Sequence, residues 1–314
     1  MSILEAIIQG IVQGATEFLP VSSSGHLSLA QHFMGVEVKS LLFDVMLHLG
    51  TLFAVLIVYR QLIFRLILAL GSLLKDLFTG RFRWSHMDAD RRLLVMLVIG
   101  LLPLFLLFLP VPGSGMAIKD YADLWATDND IIVEGCALVV TSILLTLGIY
   151  ATKRQASGKR VGSARLGRKS FGLGDALAVG FSQCVAAVFP GISRSGSTLS
   201  VGLMRGISRQ TALDYSFVLG IPAIVAAAAL ELKDAIGEPM TIGVAPILAG
   251  IVSAAVVGFL AIKLLRWMVT SDKLWVFVAY TLVLGVVVII IGIMEHQAGV
   301  TVTGNSLAKV FFGL

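Results

Sequence analysis

Six long stretches of the sequence contain almost no charged side chains, and they restrict the chain to a membrane more strongly than any other feature. They cover about 41–59, 91–111, 131–151, 211–230, 243–266 and 273–294. A helix needs roughly 20 apolar residues to cross a bilayer, whereas a barrel strand needs only about half as many. The sequence therefore predicts an all-α polytopic membrane protein with no room for a soluble domain beside the spans.

The composition supports this conclusion and excludes other classes of protein. The chain is 57% hydrophobic and 14% charged, with a mean hydropathy of +0.93, whereas a soluble domain is nearer ~45–50% apolar and ~25% charged. A soluble enzyme, a disordered tail and a nucleic-acid module are excluded. The net charge of +5 reflects basic cytoplasmic loops. Cys136 and Cys184 lie in apolar segments and are predicted to be small core residues, and the sequence indicates no disulfide framework and no removable signal peptide.

Four shorter apolar segments form two pairs, and a polar turn interrupts each pair. The first pair covers 3–19 and 26–35, and the second covers 174–189 and 198–207. In both pairs the turn consists of a proline followed by serine and glycine, a pattern typical of a re-entrant hairpin. Backbone that is not helical at membrane depth must be buried in protein or line a wet cavity. Two hairpins therefore predict a polar cavity inside the bilayer.

The charges of the loops predict the orientation. Residues 153–169 carry seven basic residues and no acid, so this loop and the basic loop 79–92 are expected in the cytoplasm. Residues 112–130 carry one lysine and four aspartates and are expected outside. The segment 60–78 places three basic side chains among leucine and isoleucine, which predicts an amphipathic helix on the cytoplasmic surface.

The chain resembles itself weakly at an offset of 170 residues. Positions 5–56 contain 11 identities with their counterparts, where chance gives roughly four or five. We therefore expect one membrane domain over 1–296, with repeat one at about 1–152, a basic loop at 153–170, repeat two at about 171–296 and a tail of unknown role at 297–314. Each repeat holds one hairpin and three spans. Because three is odd, the repeats are expected to have inverted topology, with the two hairpin turns meeting near the membrane midplane.

The first hairpin turn carries a carboxylate, a histidine and several hydroxyls. Glu17 lies four residues after Gln13, so the two side chains share a helix face, and a carboxylate inside a membrane is costly enough to suggest a function. The serines lie within four residues of His26, which provides a candidate nucleophile, base and acid. Ser23 is the catalytic candidate among these hydroxyls, and the binding candidates in this turn are Ser22, Ser24 and Gly25. Alternatively, serine and glycine only form the turn and cap the next helix, which leaves Glu17 and His26 unexplained.

The second hairpin turn surrounds Arg194 with small hydroxylic residues just before a helix. Backbone N–H groups at such a turn bind phosphate oxygens, the helix N-terminus favours an anion, and an arginine adds a bidentate clamp. The remaining phosphate-binding candidates are Ser193, Ser195, Gly196, Ser197 and Thr198. Alternatively, Arg194 is a structural partner of Glu17 or of a carbonyl. Together the two turns predict a pocket for an anionic group, and a phosphate is the expected ligand.

Other polar residues in the apolar segments are predicted to be structural. The repeat mates Asp44 and Asp214 are expected to act as caps near the ends of spans, and His48 as a packing histidine. Glu134 lies near the outer end of its span and is expected to snorkel towards water.

At these two turns the sequence closely resembles the bacterial undecaprenyl diphosphate phosphatase family, of the bacitracin-resistance type. The matching motifs are Gln13-x-x-x-Glu17, Glu17-Phe-Leu-Pro-Val-Ser-Ser-Ser-Gly-His26 and Pro190-Gly-Ile-Ser-Arg-Ser-Gly-Ser-Thr198. The likeness in span layout extends over nearly the whole chain. Position 214 is Asp where some members of the family carry Glu, and at position 13 the family allows Glu or Gln.

The resemblance implies an activity and a location. The activity is hydrolysis of undecaprenyl diphosphate to undecaprenyl phosphate and inorganic phosphate, which recycles the lipid carrier for peptidoglycan synthesis. The location is the bacterial cytoplasmic membrane, with the active site open to its outer face. The resemblance also implies a divalent cation, Mg²⁺ or Ca²⁺, for which Gln13 and Glu17 are candidate ligands. A homodimer is one oligomeric state compatible with it.

Several mechanisms stay open at this point. Ser23 activated by His26, His26 itself, and water are the candidate nucleophiles, and the first is preferred. Arg194 is expected to offset charge in the transition state, and Glu17 to bind the cation or to orient His26. A rival hypothesis is a transporter or flippase of a phosphorylated lipid or anion, because inverted repeats with broken helices also build transporters.

Overall fold

The computed structural model describes residues 1–34, 41–126, 130–157, 167–235 and 242–302, and this part of the chain is helical without any β-strand. Its α-helices are α1 (Ile3–Phe18), α2 (Ser23–Met34), α3 (Leu41–Val58), α4 (Arg60–Phe78), α5 (Ala89–Leu101), α6 (Ile118–Ala126), α7 (Ile131–Ser157), α8 (Leu173–Val188), α9 (Arg194–Met204), α10 (Arg209–Ala235), α11 (Val244–Thr270) and α12 (Trp275–Ala298). The predicted all-α fold is confirmed.

Five helical segments in the described residues are long and apolar enough to cross a membrane: Ala89–Phe108, Ile131–Arg154, Arg209–Leu230, Val244–Thr270 and Trp275–Ala298. They confirm five of the six predicted spans and a multi-pass membrane protein. The remaining span, α3, meets the criterion only together with α4, from which it is bent by 84°. This bend orients α4 as expected for a surface helix at 60–78.

A proline changes the second span from the predicted uniform helix. The α-helical hydrogen bonds of α5 end at Leu101, and a 3₁₀-helix continues over Leu102–Phe108. Pro103 has no backbone N–H and its ring clashes with the preceding turn of an α-helix, so the chain tightens at this point. The span remains continuous in length but is wound more tightly in its second half.

Both predicted hairpins are present, as α1–α2 and as α8–α9. Each packs its first helix against the middle span of the other half of the chain, α1 on α11 and α8 on α5. Small residues permit this close approach. A β-carbon on Gly14 would lie 2.6 Å from the carbonyl oxygen of Ala254. A β-carbon on Gly180 would overlap the carbonyl oxygen of Gly100. This reciprocal packing is compatible with the predicted inverted repeat.

An ion cluster ties the two ends of the second hairpin together. The Nη1 of Arg168 donates to Asp175 at 2.7 Å, and the Nε of Arg205 donates to the same carboxylate at 2.9 Å. The Nη2 of Arg168 also donates to the carbonyl of Arg205 at 2.7 Å. The hydrogen bonds to Asp175 raise the pKa of the Arg168 guanidinium above its usual value. The cluster thereby fixes α8 relative to α9, and with it the position of the turn between them.

Several predicted details differ in the structure. Cys184 is buried as predicted, but the prediction for Cys136 is wrong, because this residue lies on an exposed face of α7. Helix α7 runs to Ser157, so the predicted loop at 153–170 begins with a further turn of helix, and its residues 158–166 lie outside the described residues. The predicted tail begins within the last turn of α12, which ends at Ala298 and is capped by Gly299 with a φ of 71°, and residues 303–314 lie outside the described part.

Candidate functional site

The turns of the two hairpins meet, as predicted from the repeat. The hydroxyl of Ser195, in the first turn of α9, donates to the carbonyl of Leu19 at 3.0 Å. A β-carbon on Gly25 would lie 3.6 Å from the Cα of Gly191. Residues that are nearly 180 positions apart in the sequence therefore line one polar site between the four short helices.

The buried carboxylate of Glu17 is the centre of this site. Its Oε1 accepts a hydrogen bond from Nη2 of Arg194 at 2.5 Å, so the carboxylate of one turn pairs with the guanidinium of the other. Its Oε2 accepts from the Ser23 hydroxyl at 2.7 Å and from Nε2 of Gln13 at 3.1 Å. The sequence predicted that these four residues share one pocket, and the structure places the other three in contact with the carboxylate of Glu17.

His48 also belongs to the site, so its prediction as a packing histidine is wrong. Its Nε2 lies 3.9 Å from Oε2 of Glu17, and its Nδ1 lies 2.8 Å from the carbonyl of Asp44. The carbonyl can only accept, so Nδ1 carries a proton. The one available sequence signal was the cost of an imidazole within an apolar span, which does not indicate what the ring faces.

His26 has partners other than the one expected. Its Nδ1 lies 2.7 Å from the carbonyl of Ser22, and its Nε2 lies 2.7 Å from the hydroxyl of Tyr280 on α12. Ser23 thus pairs with Glu17 and not with His26, although only three positions separate the serine from the histidine. Tyr280 was not found from the sequence, because nothing in the pattern of a lipid-facing helix singles out one tyrosine.

The other groups in the first turn shape the backbone. Ser22 has a φ of 74°, in the left-handed region that is costly for residues other than glycine and persists where the surroundings impose it. Its hydroxyl accepts from the N–H of Gly25 at 3.2 Å and lies 3.4 Å from that of Ser24. Ser22 therefore has the capping role of the alternative interpretation, while Ser23 faces the carboxylate.

The second turn offers fewer N–H groups to a ligand than the sequence suggested. Those of Ser193, Gly196 and Ser197 already have acceptors within the protein. In the part of the chain that the structure describes, those of Arg194 and Ser195 have no acceptor at the start of α9. Any anion at this turn would be held mainly by the Arg194 side chain and two backbone groups.

The hydroxyls of the second turn are used for packing. Thr198 donates to the carbonyl of Arg194 at 2.9 Å and lies 2.5 Å from the hydroxyl of Ser216 on α10. Ser193 caps α9 by accepting from Gly196 at 3.0 Å. Ser197 is buried in the same turn. These contacts position Arg194.

Two further carboxylates have roles other than those predicted. Asp214 accepts from the hydroxyl of Tyr59 at 2.8 Å and from Gln210 at 2.9 Å, so it links the junction between α3 and α4 to α10 and is not simply a cap. Glu134 does not snorkel, because it is buried and accepts from the hydroxyl of Ser28 at 2.9 Å. Its Cα also lies close to the second turn, 3.4 Å from the position of a β-carbon on Gly191.

A glycine makes room for the arginine. Gly220 on α10 lies directly against the guanidinium of Arg194, and a β-carbon at position 220 would overlap its Nη1. The Nη1 is buried without a hydrogen-bond partner in the described residues. The arginine therefore has donors left after its ion pair with Glu17.

The donor set fits a divalent cation only with help from a ligand. Among the residues that the structure describes, no three His, Cys, Asp or Glu side chains form a group that could hold a metal. However, Oε1 of Gln13 is buried beside Glu17 without a hydrogen-bond partner. Mg²⁺ commonly uses one or two carboxylates together with the phosphates of a substrate. Glu17 and Gln13 fit this smaller donor set.

Comparison with known proteins identifies the family of the chain. Residues 6–287 match the family described as bacitracin resistance protein BacA. The chain belongs to the BacA family. Similar relatives include the undecaprenyl-diphosphatase of Desulforapulum autotrophicum, 36% identical over 93% of this chain and 99% of the relative. That of Desulfosudis oleivorans is 38% identical over 93% and 99%, and that of Mycolicibacterium smegmatis is 35% identical over 92% and 96%. The BacA match includes both hairpin turns.

Proposed function

We propose that this protein is a membrane phosphatase that hydrolyses undecaprenyl diphosphate to undecaprenyl phosphate and inorganic phosphate. The observation that carries the proposal is the contact of Arg194 with Glu17 between the two turns, with a serine hydroxyl on the same carboxylate. Membership of the BacA family supports the substrate, because the relatives bear the name of this activity. Both turns come from one chain, so the proposed site needs no second copy.

The proposed reaction uses the charges of the site on the diphosphate. Arg194 binds the phosphate oxygens with its remaining donors and offsets the charge that develops in the transition state. The oxygen of Ser23 attacks the terminal phosphorus as the bond to the bridging oxygen breaks, undecaprenyl phosphate leaves, and the serine proton passes to Glu17. Water then attacks the phosphorus of the phosphoserine and loses one proton through His26 to bulk water, Glu17 returns the serine proton to Ser23 as the ester bond breaks, and inorganic phosphate is released.

This assignment gives Glu17 the role of base that the sequence had suggested for His26. The hydroxyl of Ser23 lies 2.7 Å from Glu17, within the range needed for proton transfer. A nucleophilic His26 would need its Nε2 free, and that nitrogen is bonded to Tyr280. Among the candidates, Ser23 is therefore the nucleophile that the contacts favour.

The nucleophile can be identified by trapping. We expect protein that is quenched during turnover of terminally ³²P-labelled substrate to carry a label that survives acid and is lost in base, as a phosphoserine ester is. An acid-labile, base-stable label would assign the attack to His26. A label retained in the Ser23→Ala variant would also contradict the assignment to Ser23.

We also propose that a divalent cation, Mg²⁺ or Ca²⁺, takes part. Glu17 and Gln13 are the residues that would hold it, together with phosphate oxygens, and the unpartnered Oε1 of Gln13 supports this assignment. Bound there, it would neutralise charge on the diphosphate. The membrane is proposed to be the bacterial cytoplasmic membrane and the site to open on its outer face, in agreement with the charges of the loops.

The proposed function is tested by phosphate release from the purified protein in detergent. We expect release from undecaprenyl diphosphate that EDTA abolishes and added Mg²⁺ or Ca²⁺ restores. Phosphate release that is insensitive to EDTA would support the proposed phosphatase activity and contradict the proposed cation. If well-folded protein released no phosphate under any condition, the phosphatase proposal would fail, and transport of a phosphorylated lipid would have to be measured in vesicles.

A further inference from the structure

The ring of His26 is held at both nitrogens, which fixes the way it can act. Its Nδ1 lies 2.7 Å from the carbonyl of Ser22, and a carbonyl only accepts, so Nδ1 carries the proton. In the neutral ring the lone pair is then on Nε2. The Tyr280 hydroxyl lies 2.7 Å from this nitrogen and donates to it. Any proton or phosphoryl group that His26 exchanges must therefore pass through Nε2, on the side of α12.

Tyr280 is placed rigidly enough to orient the ring. Its own ring is nearly parallel to the imidazole, with an interplanar angle of 18° and ring centroids 5.6 Å apart. The backbone two residues earlier is anchored to α7, because the hydroxyl of Ser142 donates to the carbonyl of Val278 at 2.9 Å. The phenol thus reaches His26 from a helix that is anchored to α7, while the Tyr280 side chain stays partly exposed.

We infer that Tyr280 is a positioning residue for the second step of the proposed reaction, in which the Nε2 of His26 accepts a proton from the water that attacks the phosphoserine; the tyrosine holds the imidazole so that this nitrogen faces the site. The tyrosine acts through His26 and not on the phosphate. In the resting site the phenol occupies Nε2, and the hydrogen bond must be exchanged when His26 meets the substrate or water. The inference rests on the proposed phosphatase activity for its rate measurement, whereas the contact itself can be tested without substrate.

The experiment removes one oxygen atom. We expect Tyr280→Phe to lower kcat about tenfold, the effect of one hydrogen bond of ordinary strength, with KM within about twofold. The matched control is Tyr150→Phe on α7, whose hydroxyl has no hydrogen-bond partner in the described residues and whose ring is also exposed; it should leave kcat unchanged. Unchanged kcat in Tyr280→Phe would overturn the inference, as would an equal loss in the control.

A second measurement does not depend on turnover. The chain has five histidines, so the ring nitrogens can be followed by ¹⁵N NMR, with His26 assigned from the His26→Gln variant. We expect its Nε2 resonance to shift in Tyr280→Phe and to stay in place in Tyr150→Phe. An unshifted resonance would overturn the contact. Should the protein release no phosphate from any lipid diphosphate, the proposed function would fail while these spectra still decide the contact.

Discussion

Replacing Arg194 by alanine is expected to slow phosphate release at least about 100-fold, the size typical of removing a key electrostatic group. The guanidinium is the cation that the second turn brings to Glu17, with its Nη2 2.5 Å from Oε1 of the carboxylate. Without it the diphosphate loses its clamp and the transition state loses its countercharge. The measurement is kcat/KM for phosphate release in detergent. Arg91→Ala is the matched control. Arg91 is also part-buried and pairs with Asp76 at a distance of 2.8 Å, but this pair lies outside the site. The control variant should retain normal rates.

Loss of activity alone would not separate catalysis from folding, because a buried carboxylate left without its partner destabilises a protein by about 3–5 kcal/mol. The double variant Glu17→Gln/Arg194→Met removes both charges and makes this distinction. We expect it to recover the thermal stability that Arg194→Ala loses, since a buried ion pair can often be replaced without cost, and to remain inactive. Recovery of near-normal release in the double variant would reduce the pair to a structural role and contradict the proposed reaction.

The fold could be predicted because the strongest sequence signals concern the bilayer. Long uncharged runs fix the spans, and a proline followed by serine and glycine fixes the hairpin turns. The offset of 170 also predicted that the two turns would meet. Proline chemistry also explains the irregular second span, since Pro103 tightens the end of α5 into a 3₁₀-helix. These features depend on the local sequence and on the apolar solvent of the bilayer, so the sequence alone is enough to predict them.

The partners within the site could not be predicted, because they depend on side-chain directions between distant helices. Tyr280 is 254 positions from His26, and its helix is apolar on all sides. The internal repeat does not predict these side-chain contacts either. Gln13 donates to Glu17, but its repeat mate Gln183 is buried with neither amide atom hydrogen-bonded in the described residues. The repeats share a backbone plan, and the charges of the site are divided between them without symmetry.

Gly220 provides the second large effect that we expect. The Gly220→Ala variant is expected to lose about 100-fold in phosphate release although residue 220 touches no substrate, because a catalytic group displaced by about 1 Å can cost this much. An alanine β-carbon would overlap Nη1 of Arg194, so the guanidinium must shift away from Glu17. The matched control is Gly71→Ala on α4, where nothing lies within 4 Å of the added carbon. That change should leave the rate unchanged and slightly stabilise the helix.

The effect of Gly220→Ala should depend on the arginine. Two changes that act through the same group are not additive, so the double variant Gly220→Ala/Arg194→Ala should be no slower than Arg194→Ala alone. Fully multiplicative losses would show instead that the alanine disturbs α10 independently of Arg194. Pro222 lies two residues further along the same helix and already removes a backbone hydrogen bond from this segment, so the thermal unfolding of each variant is measured beside its rate. A rate that falls with unchanged unfolding temperature places the loss in the position of the guanidinium.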